Sequence, residues 1–155
     1  MNHVLSVLVD NKPGALTRVT GLIARRGYNI ESLAVGTAED PRLSRVTMVV
    51  GAPDVPIEQI IKQLHKLINV HKINDLSKED AIERELVLYK VATTPEQRHE
   101  VIEVANLFRV NIIDVGPETL IVEAAGTRDK LDAMEDLLRP CWMASKMVIV
   151  SGGKV

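Results

Sequence analysis

Apolar and polar positions divide the first half of the chain into six elements. Residues 4–9 form a short apolar run without a breaker, which predicts a buried strand. From Ala15 to Ile23 the apolar residues follow the period of an amphipathic helix, and Gly27 after two arginines predicts its end. The same pattern predicts strands at 28–35, 43–50 and 70–76 and a helix at 57–68. The order β-α-β-β-α-β is that of a ferredoxin-like unit.

The second half of the chain repeats the first after a charged segment at 77–80. Adding 82 to each position, since 93 − 11 = 82, aligns Thr93-Thr94-Pro95-Glu96 with Asn11-Lys12-Pro13-Gly14 and Asn111-Ile112 with Asn29-Ile30. Strands are predicted at 86–88, 119–125 and 147–150, with helices around Val101 and at 131–138. We therefore predict an α+β fold of two tandem ferredoxin-like βαββαβ units, at 1–76 and 83–155, joined by a linker at 77–82. The shift also predicts that the turn before the helix is retained at Pro95.

The loop between the first strand and the first helix is the best candidate for binding chemistry. Its sequence is Asn11-Lys12-Pro13-Gly14-Ala15-Leu16. Gly14 has no Cβ, so another group can approach the first N–H groups of the helix, and a helix N-terminus attracts anions. The residues alone leave two interpretations open, an anion-binding loop or only a turn.

Composition and charge exclude several classes of protein. The chain has 155 residues, of which 46% are apolar and 26% are charged, which is typical of a globular protein. Its 19 basic and 21 acidic residues give a net charge of −2, so no general field favours nucleic acid or an anionic membrane. Cys141 is the single cysteine, and no apolar run has the length of a membrane span. We expect a mature chain that begins at Met1, is soluble and is cytoplasmic.

The sequence contains no pattern typical of a catalytic or metal site. It has no phosphate-binding glycine motif, no metalloprotease motif and no paired cysteines. His3, His65, His71 and His99 are scattered, and we expect them to be surface residues or satisfied structural residues. Cys141 is expected to pack or to fill a loop rather than to act as a nucleophile. We therefore expect no catalytic residue and no metal in this chain.

Several runs of residues resemble one family. The loop at 11–16, the run Arg-Gly-Tyr-Asn-Ile-Glu-Ser-Leu at 26–33 and Leu43-Ser44-Arg45 resemble the N-terminal ACT domain of the small, regulatory subunit of acetolactate synthase, also called acetohydroxyacid synthase. Residues 83–86, 112–115 and 126–132 resemble the C-terminal domain of the same family. After Pro140 the sequence at 141–146 departs from the family's usual pattern, which puts the last strand in question.

The resemblance implies a non-catalytic regulatory subunit in the biosynthesis of valine, leucine and isoleucine. Such a subunit activates a catalytic large subunit, which carries thiamine diphosphate, magnesium and FAD, and it confers feedback inhibition by valine. No cofactor is expected in this chain. Valine would lie between the ACT domains of a homodimer, and the dimer would cover strands that are apolar on both faces. The expected effector-binding residues are Asn11, Gly14, Ala15, Leu16, Asn29 and Ile30, the last two coming largely from the neighbouring subunit.

Two other functions remain open beside the regulatory subunit. One is a stand-alone amino-acid sensor that modulates transcription through protein contacts, and the other is a metabolic enzyme.

Under the 82-residue shift, Glu96 replaces Gly14 and Gln97-Arg98 replaces Ala15-Leu16. The second unit is therefore expected to bind no amino acid, and to serve dimer contacts and activation of the catalytic subunit.

Overall fold

A computed structural model of the chain describes residues 2–52, 56–78, 81–139 and 143–150, and describes only the backbone of residues 56 and 143–150. The chain divides into two compact units, with the boundary between Ile82 and Glu83. Each unit contains one four-stranded antiparallel sheet and two helices. The predicted α+β fold of two βαββαβ units is thereby confirmed.

The first unit packs two helices on one face of its sheet. Its elements are β1 (Asn2–Asp10), α1 (Ala15–Arg25), β2 (Asn29–Thr37), β3 (Leu43–Gly51), α2 (Pro56–Leu64), β4 (Val70–Asp75) and a short 3-10 helix (Leu76–Lys78). The strands lie in the order β2-β3-β1-β4, so β2 is an edge strand. Alternate residues of β1 and β3 face the helices, and Leu5 and Met48 lie opposite each other, fully buried. Burying each such side chain contributes about 1.5–3 kcal/mol.

Helix α2 is shorter than the apolar period predicts. The prediction extended it to Ile68, but the helix ends at Leu64. The N–H groups of Lys66 and Leu67 donate to the carbonyls three residues earlier, at 3.1 and 3.0 Å, so the chain tightens into a turn. Leu67 still packs against the core from this turn, whereas Ile68 is 85% exposed. The prediction was wrong because an apolar side chain can reach the core without being helical.

The second unit has the same layers. Its elements are β5 (Glu85–Ala92), α3 (Arg98–Phe108), β6 (Asn111–Val115), β7 (Thr119–Gly126), α4 (Arg128–Leu138) and β8 (Met143–Val150), and its strand order is β6-β7-β5-β8. Tyr89 is fully buried in its core, together with residues of α3, β7 and α4. The last strand starts at Met143, four residues before the predicted strand at 147–150, and pairs antiparallel with β5. Residues 140–142, which include Cys141, lie outside the described part of the chain.

The internal repeat is visible in the backbone and ends at the second strand of each unit. A β-bulge lies between Ile30 and Ser32 in β2, and another between Ile112 and Asp114 in β6. The skipped residues are 82 apart, since 113 − 31 = 82. The following strands, β3 and β7, end at positions only 75 residues apart, since 126 − 51 = 75. The separation falls because the hairpin of the second unit is shorter. The predicted shift therefore holds for three elements of each unit.

The sheet faces without helices are partly apolar, as the sequence predicts. In the first unit Val4, Leu8 and Val49 on this face are half-buried. In the second unit Leu86 and Leu88 occupy the equivalent face and are also half-buried. Among the described residues, no helix is long and apolar enough to cross a membrane.

Candidate functional site

The loop between β1 and α1 leaves open space at its glycine. Gly14 has φ 85° and ψ −14°, a left-handed conformation that glycine adopts without steric cost. Apart from its chain neighbours, no described residue has an atom within 4 Å of a Cβ added to Gly14. Helix α1 has no side-chain cap, and its first turn contains no acidic residue. The start of this helix is therefore accessible and carries no negative charge of its own.

The first turn of α1 presents free backbone donors at this opening. The Ala15 N–H donates to the Lys12 carbonyl at 3.3 Å, and the first helical bond runs from Arg18 N–H to the Gly14 carbonyl at 3.1 Å. Within the described part of the chain, the N–H groups of Leu16 and Thr17 have no acceptor. These donors lie at the positive end of the helix dipole, where a carboxylate is stabilised.

Asn11 is fixed by the turn between β2 and β3. Its backbone N–H donates to the Arg42 carbonyl at 2.8 Å, and its side-chain Nδ2 donates to the Pro41 carbonyl at 2.9 Å. The Nδ2 contact sets the amide orientation, so Oδ1 of this exposed residue can serve as an acceptor beside the loop. An ammonium group is a suitable donor for it.

The apolar residues of the predicted site divide into one buried and two accessible side chains. Ala15 is 2% exposed, so it can offer a ligand only its backbone. Leu16 and Ile30 both pack against the core of the first unit, yet each keeps part of its side chain exposed. Either can form an apolar wall for a small ligand.

Within one protomer, the six predicted residues form two half-sites rather than one site. One group lies at or just before the start of α1 and contains Asn11, Gly14, Ala15 and Leu16. The other, Asn29 and Ile30, lies beyond the end of α1, at the start of β2. The 11 residues of α1 separate the two groups by about 16 Å. Asn29 and Ile30 open onto a shallow groove of about 410 Å³ along α1, which is lined by Thr17, Thr20, Gly21, Ala24, Tyr28, Asn29 and Ile30.

A polar network beside the loop could not be predicted from the sequence. Asp10 accepts hydrogen bonds from Asn69 Nδ2 at 2.9 Å, contacts His71 Nε2 at 2.6 Å and pairs with Lys12 Nζ at 2.8 Å. Asn69 Oδ1 in turn accepts a hydrogen bond from Arg18 Nη1 at 2.9 Å. The Lys12 contact, followed by those from His71 and Asn69, holds the pKa of Asp10 well below its ordinary value. The only local signal was the pair Asp10 and Lys12, because Asn69 is 59 residues from Asp10 in sequence.

Of the four histidines, His3 differs from expectation. His71 is a surface residue, as predicted: its side chain is 46% exposed, and its Nε2 lies 2.6 Å from Asp10 Oδ1. His3 is 4% exposed, and neither ring nitrogen has a hydrogen-bond partner in the described part of the chain. It is therefore neither a surface residue nor a satisfied one. No group of three or more His, Cys, Asp or Glu side chains that could hold a metal occurs among the described residues.

The equivalent loop of the second unit keeps the turn but has no left-handed residue. The residue before α3 is Gln97, whose φ of −89° is right-handed, and Glu96 is not among the residues with positive φ. The turn predicted at Pro95 is retained, since the Gln97 N–H donates to the Thr94 carbonyl at 3.1 Å, the equivalent of the bond from Ala15 N–H to the Lys12 carbonyl. The left-handed conformation of Gly14 is not retained, because Glu96 carries a Cβ that disfavours it. The Glu96 carboxylate accepts hydrogen bonds from its own backbone N–H and from the Thr94 hydroxyl, which lowers its pKa. A negative charge thus already lies at the start of α3.

The chain is similar to known proteins over nearly its whole length. A family model described as an AHAS small subunit-like ACT domain matches residues 5–72, and one described as the small subunit of acetolactate synthase matches residues 84–154. The acetolactate synthase small subunit of Mycobacterium bovis is 56% identical over 138 residues, which cover 89% of this chain and 82% of the relative. The probable acetolactate synthase small subunit of Archaeoglobus fulgidus is 46% identical over 159 residues, covering 99% of each.

A solved structure extends this similarity to the fold. The crystal structure of the acetolactate synthase small subunit from Thermotoga maritima superimposes with a TM-score of 0.88 at 39% identity, covering 100% of this chain and 98% of that chain. The similarity spans both βαββαβ units, and the family model for the first unit covers the loop at Gly14. The chain therefore belongs to the family of acetolactate synthase small subunits, and its first unit is an ACT domain.

Proposed function

We propose that this chain binds valine between two copies of its ACT domain and thereby adjusts the activity of a catalytic acetolactate synthase subunit. The observation that carries the proposal is the uncapped start of α1 at Gly14, which offers backbone donors and open space at the surface. A free amino acid has the complementary groups, namely a carboxylate, an ammonium and a side chain.

Each group of valine has a matching feature at the loop. The carboxylate fits the N–H groups of Leu16 and Thr17, with Ala15 as a further donor, and the ammonium fits Asn11 Oδ1. The branched side chain needs an apolar wall, which Leu16 provides from one side. Asn29 can donate to the carboxylate or accept from the ammonium, and Ile30 can close the wall.

The separation of the half-sites supports a dimer. A single valine cannot span about 16 Å, so Asn29 and Ile30 must reach the loop from a second copy. In a two-fold dimer the same surface serves both copies, so the start of α1 in one faces the start of β2 in the other. The edge strand β2 supports this arrangement, because Leu33 is 40% and Val35 is 48% exposed. The exposed face of α1 beside it carries the small residues Gly21 and Ala24.

Regulation then follows from the shared site. Valine stabilises one pairing of the two ACT domains, and a pairing that supports the catalytic subunit less well lowers its activity. The thiamine diphosphate, magnesium and FAD belong to the catalytic subunit in this proposal, and this chain supplies no catalytic residue. The second unit, with Glu96 at the start of its helix, contributes contacts rather than an effector site.

The test combines the chain with the catalytic large subunit of acetolactate synthase. We expect the two to elute as one complex, acetolactate formation to rise on addition of this chain, and valine to reduce that formation. Elution as separate species, with valine still bound by this chain, would instead favour a stand-alone sensor. Acetolactate formation by the isolated chain would contradict the absence of catalytic residues.

A further inference from the structure

Asn69 connects both ends of the loop at Gly14, although it lies in neither predicted half-site. It is in the turn between α2 and β4 and is 4% exposed. Its Nδ2 donates to Asp10 Oδ2 at 2.9 Å, and its backbone carbonyl accepts the Asp10 N–H, also at 2.9 Å. Its Oδ1 accepts from Arg18 Nη1 at 2.9 Å.

The two partners of Asn69 bracket the loop. Asp10 immediately precedes Asn11, and the Arg18 N–H donates to the Gly14 carbonyl. The side-chain amide cannot rotate by half a turn without placing its oxygen against a carboxylate and its NH2 group against a guanidinium. One buried side chain therefore fixes the end of β1 relative to the first turn of α1.

Asn69 acts from the side of α1 that faces away from the apolar wall. Leu16 and Arg18 are two residues apart in the helix, which places their side chains roughly 200° apart around its axis. The Arg18 side chain reaches the turn before β4, whereas the groove at Asn29 lies on the face that contains Thr17 and Gly21. Neither Asn69 nor the Arg18 guanidinium is a ligand contact in this geometry.

We propose that Asn69 is a positioning residue for the effector site, holding the donors of α1 and the acceptor of Asn11 at the spacing that an amino acid requires. This inference rests on the proposed function, because it concerns the same loop. It adds a residue that touches no ligand and that controls affinity by fixing the geometry of the loop.

The experiment compares three variants of the full-length chain, with valine as the probe. Asn69→Ala removes both side-chain contacts, and Arg18→Ala removes one of them at an exposed position where the fold is not at risk. Ser77→Ala is the matched control. It removes a single bond, from the Val4 N–H to Ser77 Oγ at 2.8 Å, near the opposite end of β1. Calorimetry gives the valine affinity, thermal unfolding gives the stability, and amide NMR spectra report on Gly14.

We expect Asn69→Ala to lower valine affinity by about tenfold or more, and Arg18→Ala to lower it by a smaller factor in the same direction. The Gly14 amide resonance should shift in both, while Ser77→Ala should change stability without changing affinity or that resonance. The double variant should lose less than the product of the two single losses, since both act through one link.

The outcomes separate this inference from the proposed function. If the unchanged chain binds no valine, the proposed function fails. The positioning role is wrong if the unchanged chain binds valine and both variants, Arg18→Ala and a folded Asn69→Ala, bind valine as tightly as the unchanged chain does. An equal loss of affinity in Ser77→Ala would show that general destabilisation, and not loop geometry, is responsible.

Discussion

At the scale of single residues, the proposed valine site depends on Gly14. Aspartate and asparagine tolerate the left-handed conformation better than other side chains, so both can replace Gly14 at a cost of roughly 1–2 kcal/mol in strain. Their shapes are nearly equal, and only the aspartate carries a charge. We expect Gly14→Asp to abolish valine inhibition while activation of the catalytic subunit survives, and Gly14→Asn to retain weakened inhibition.

Valine inhibition curves of the reconstituted complex measure this difference. A Cβ at Gly14 meets no atom of the described residues within 4 Å beyond its chain neighbours, so a loss of inhibition points to the ligand rather than to a clash within the chain. An unchanged inhibition curve for Gly14→Asp would mean that the loop is only a turn. Equal loss in both variants would assign the effect to the added Cβ rather than to charge.

His3 is a second residue whose environment allows a test. It faces the core side of β1 opposite Val50, and both ring nitrogens lack partners in the described part of the chain. A buried polar group without a hydrogen bond costs about 1–3 kcal/mol. We expect His3→Leu, which has a similar volume, to raise the free energy of unfolding by on the order of 1 kcal/mol. Urea denaturation measures the change, and a clear loss of stability would contradict this account of His3.

At the scale of helices and strands, the sequence predicts what depends on local pattern. Strand β1, helix α1 and the turn at Gly27 follow directly from apolar period and from breakers, and the structure contains them with small differences at the ends. The predicted end of α2 was wrong because the apolar period continues through Leu67, which lies in a turn after the helix. Asn69 could not be found, since its role depends on a contact between segments 59 residues apart.

The same contrast applies to the candidate site. The open loop at Gly14 could be predicted from residue types, because glycine and a following helix determine its chemistry locally. That Asn29 and Ile30 lie beyond the far end of α1 also follows from sequence, since a helix has a fixed rise per residue. The network around Asp10 requires the register of β4 against β1, which no local pattern specifies.

Helix α1 provides a test of the proposed dimer surface. Among the described residues, a Cβ added to Gly21 meets no atom within 4 Å beyond its own helix backbone and chain neighbours, so the position has room for a side chain. Replacing glycine inside a helix by alanine stabilises it by about 0.5–1 kcal/mol. We expect Gly21→Ala to raise stability and to keep the dimer, and Gly21→Arg to give a folded monomer that binds valine weakly. Sedimentation measures the oligomeric state. A Gly21→Arg variant that is still a dimer and binds valine with unchanged affinity would rule out this surface.

Strand β5 provides a test of stability in the second unit. Burial, with a smaller effect from Glu135, raises the pKa of Tyr89 from 10.0 to about 12. The folded state keeps the Tyr89 proton to a higher pH than the unfolded state does. The stability that this protonated group contributes is therefore complete below pH 10 and is lost as the pH rises towards 12. We expect the free energy of unfolding of this unit to fall across that range, and Tyr89→Phe to flatten the fall. An equally steep fall in Tyr89→Phe would assign the effect to other groups.

At the scale of the whole molecule, two units with one fold have different chemistry at the same position. In the first unit the start of the helix is open at Gly14, whereas in the second Glu96 supplies a carboxylate to its own backbone. A ligand carboxylate at the second position would meet a charge of the same sign. We therefore expect calorimetry to give one valine per chain, and two per chain would contradict this difference.

A mixture of two inactive variants tests whether each site is shared between copies. Asn29→Ala removes about one hydrogen bond to a charged ligand, roughly 1.5–3 kcal/mol, which lowers affinity by about 10- to 150-fold. Gly14→Asp blocks the loop of its own chain. In a mixed dimer, the intact loop of the Asn29→Ala chain meets the intact Asn29 of the Gly14→Asp chain, so one of its two sites is complete.

Random mixing makes half of the dimers mixed, so we expect about one quarter of all sites to recover full affinity for valine. Calorimetry after the two variants are unfolded and refolded together measures this fraction, and each variant refolded alone is the control. Recovery requires that residues about 16 Å apart in one chain meet in another, which only a shared site explains. If both halves of the site came from one chain, every chain in the mixture would carry a defect, and the mixture would bind no better than its components.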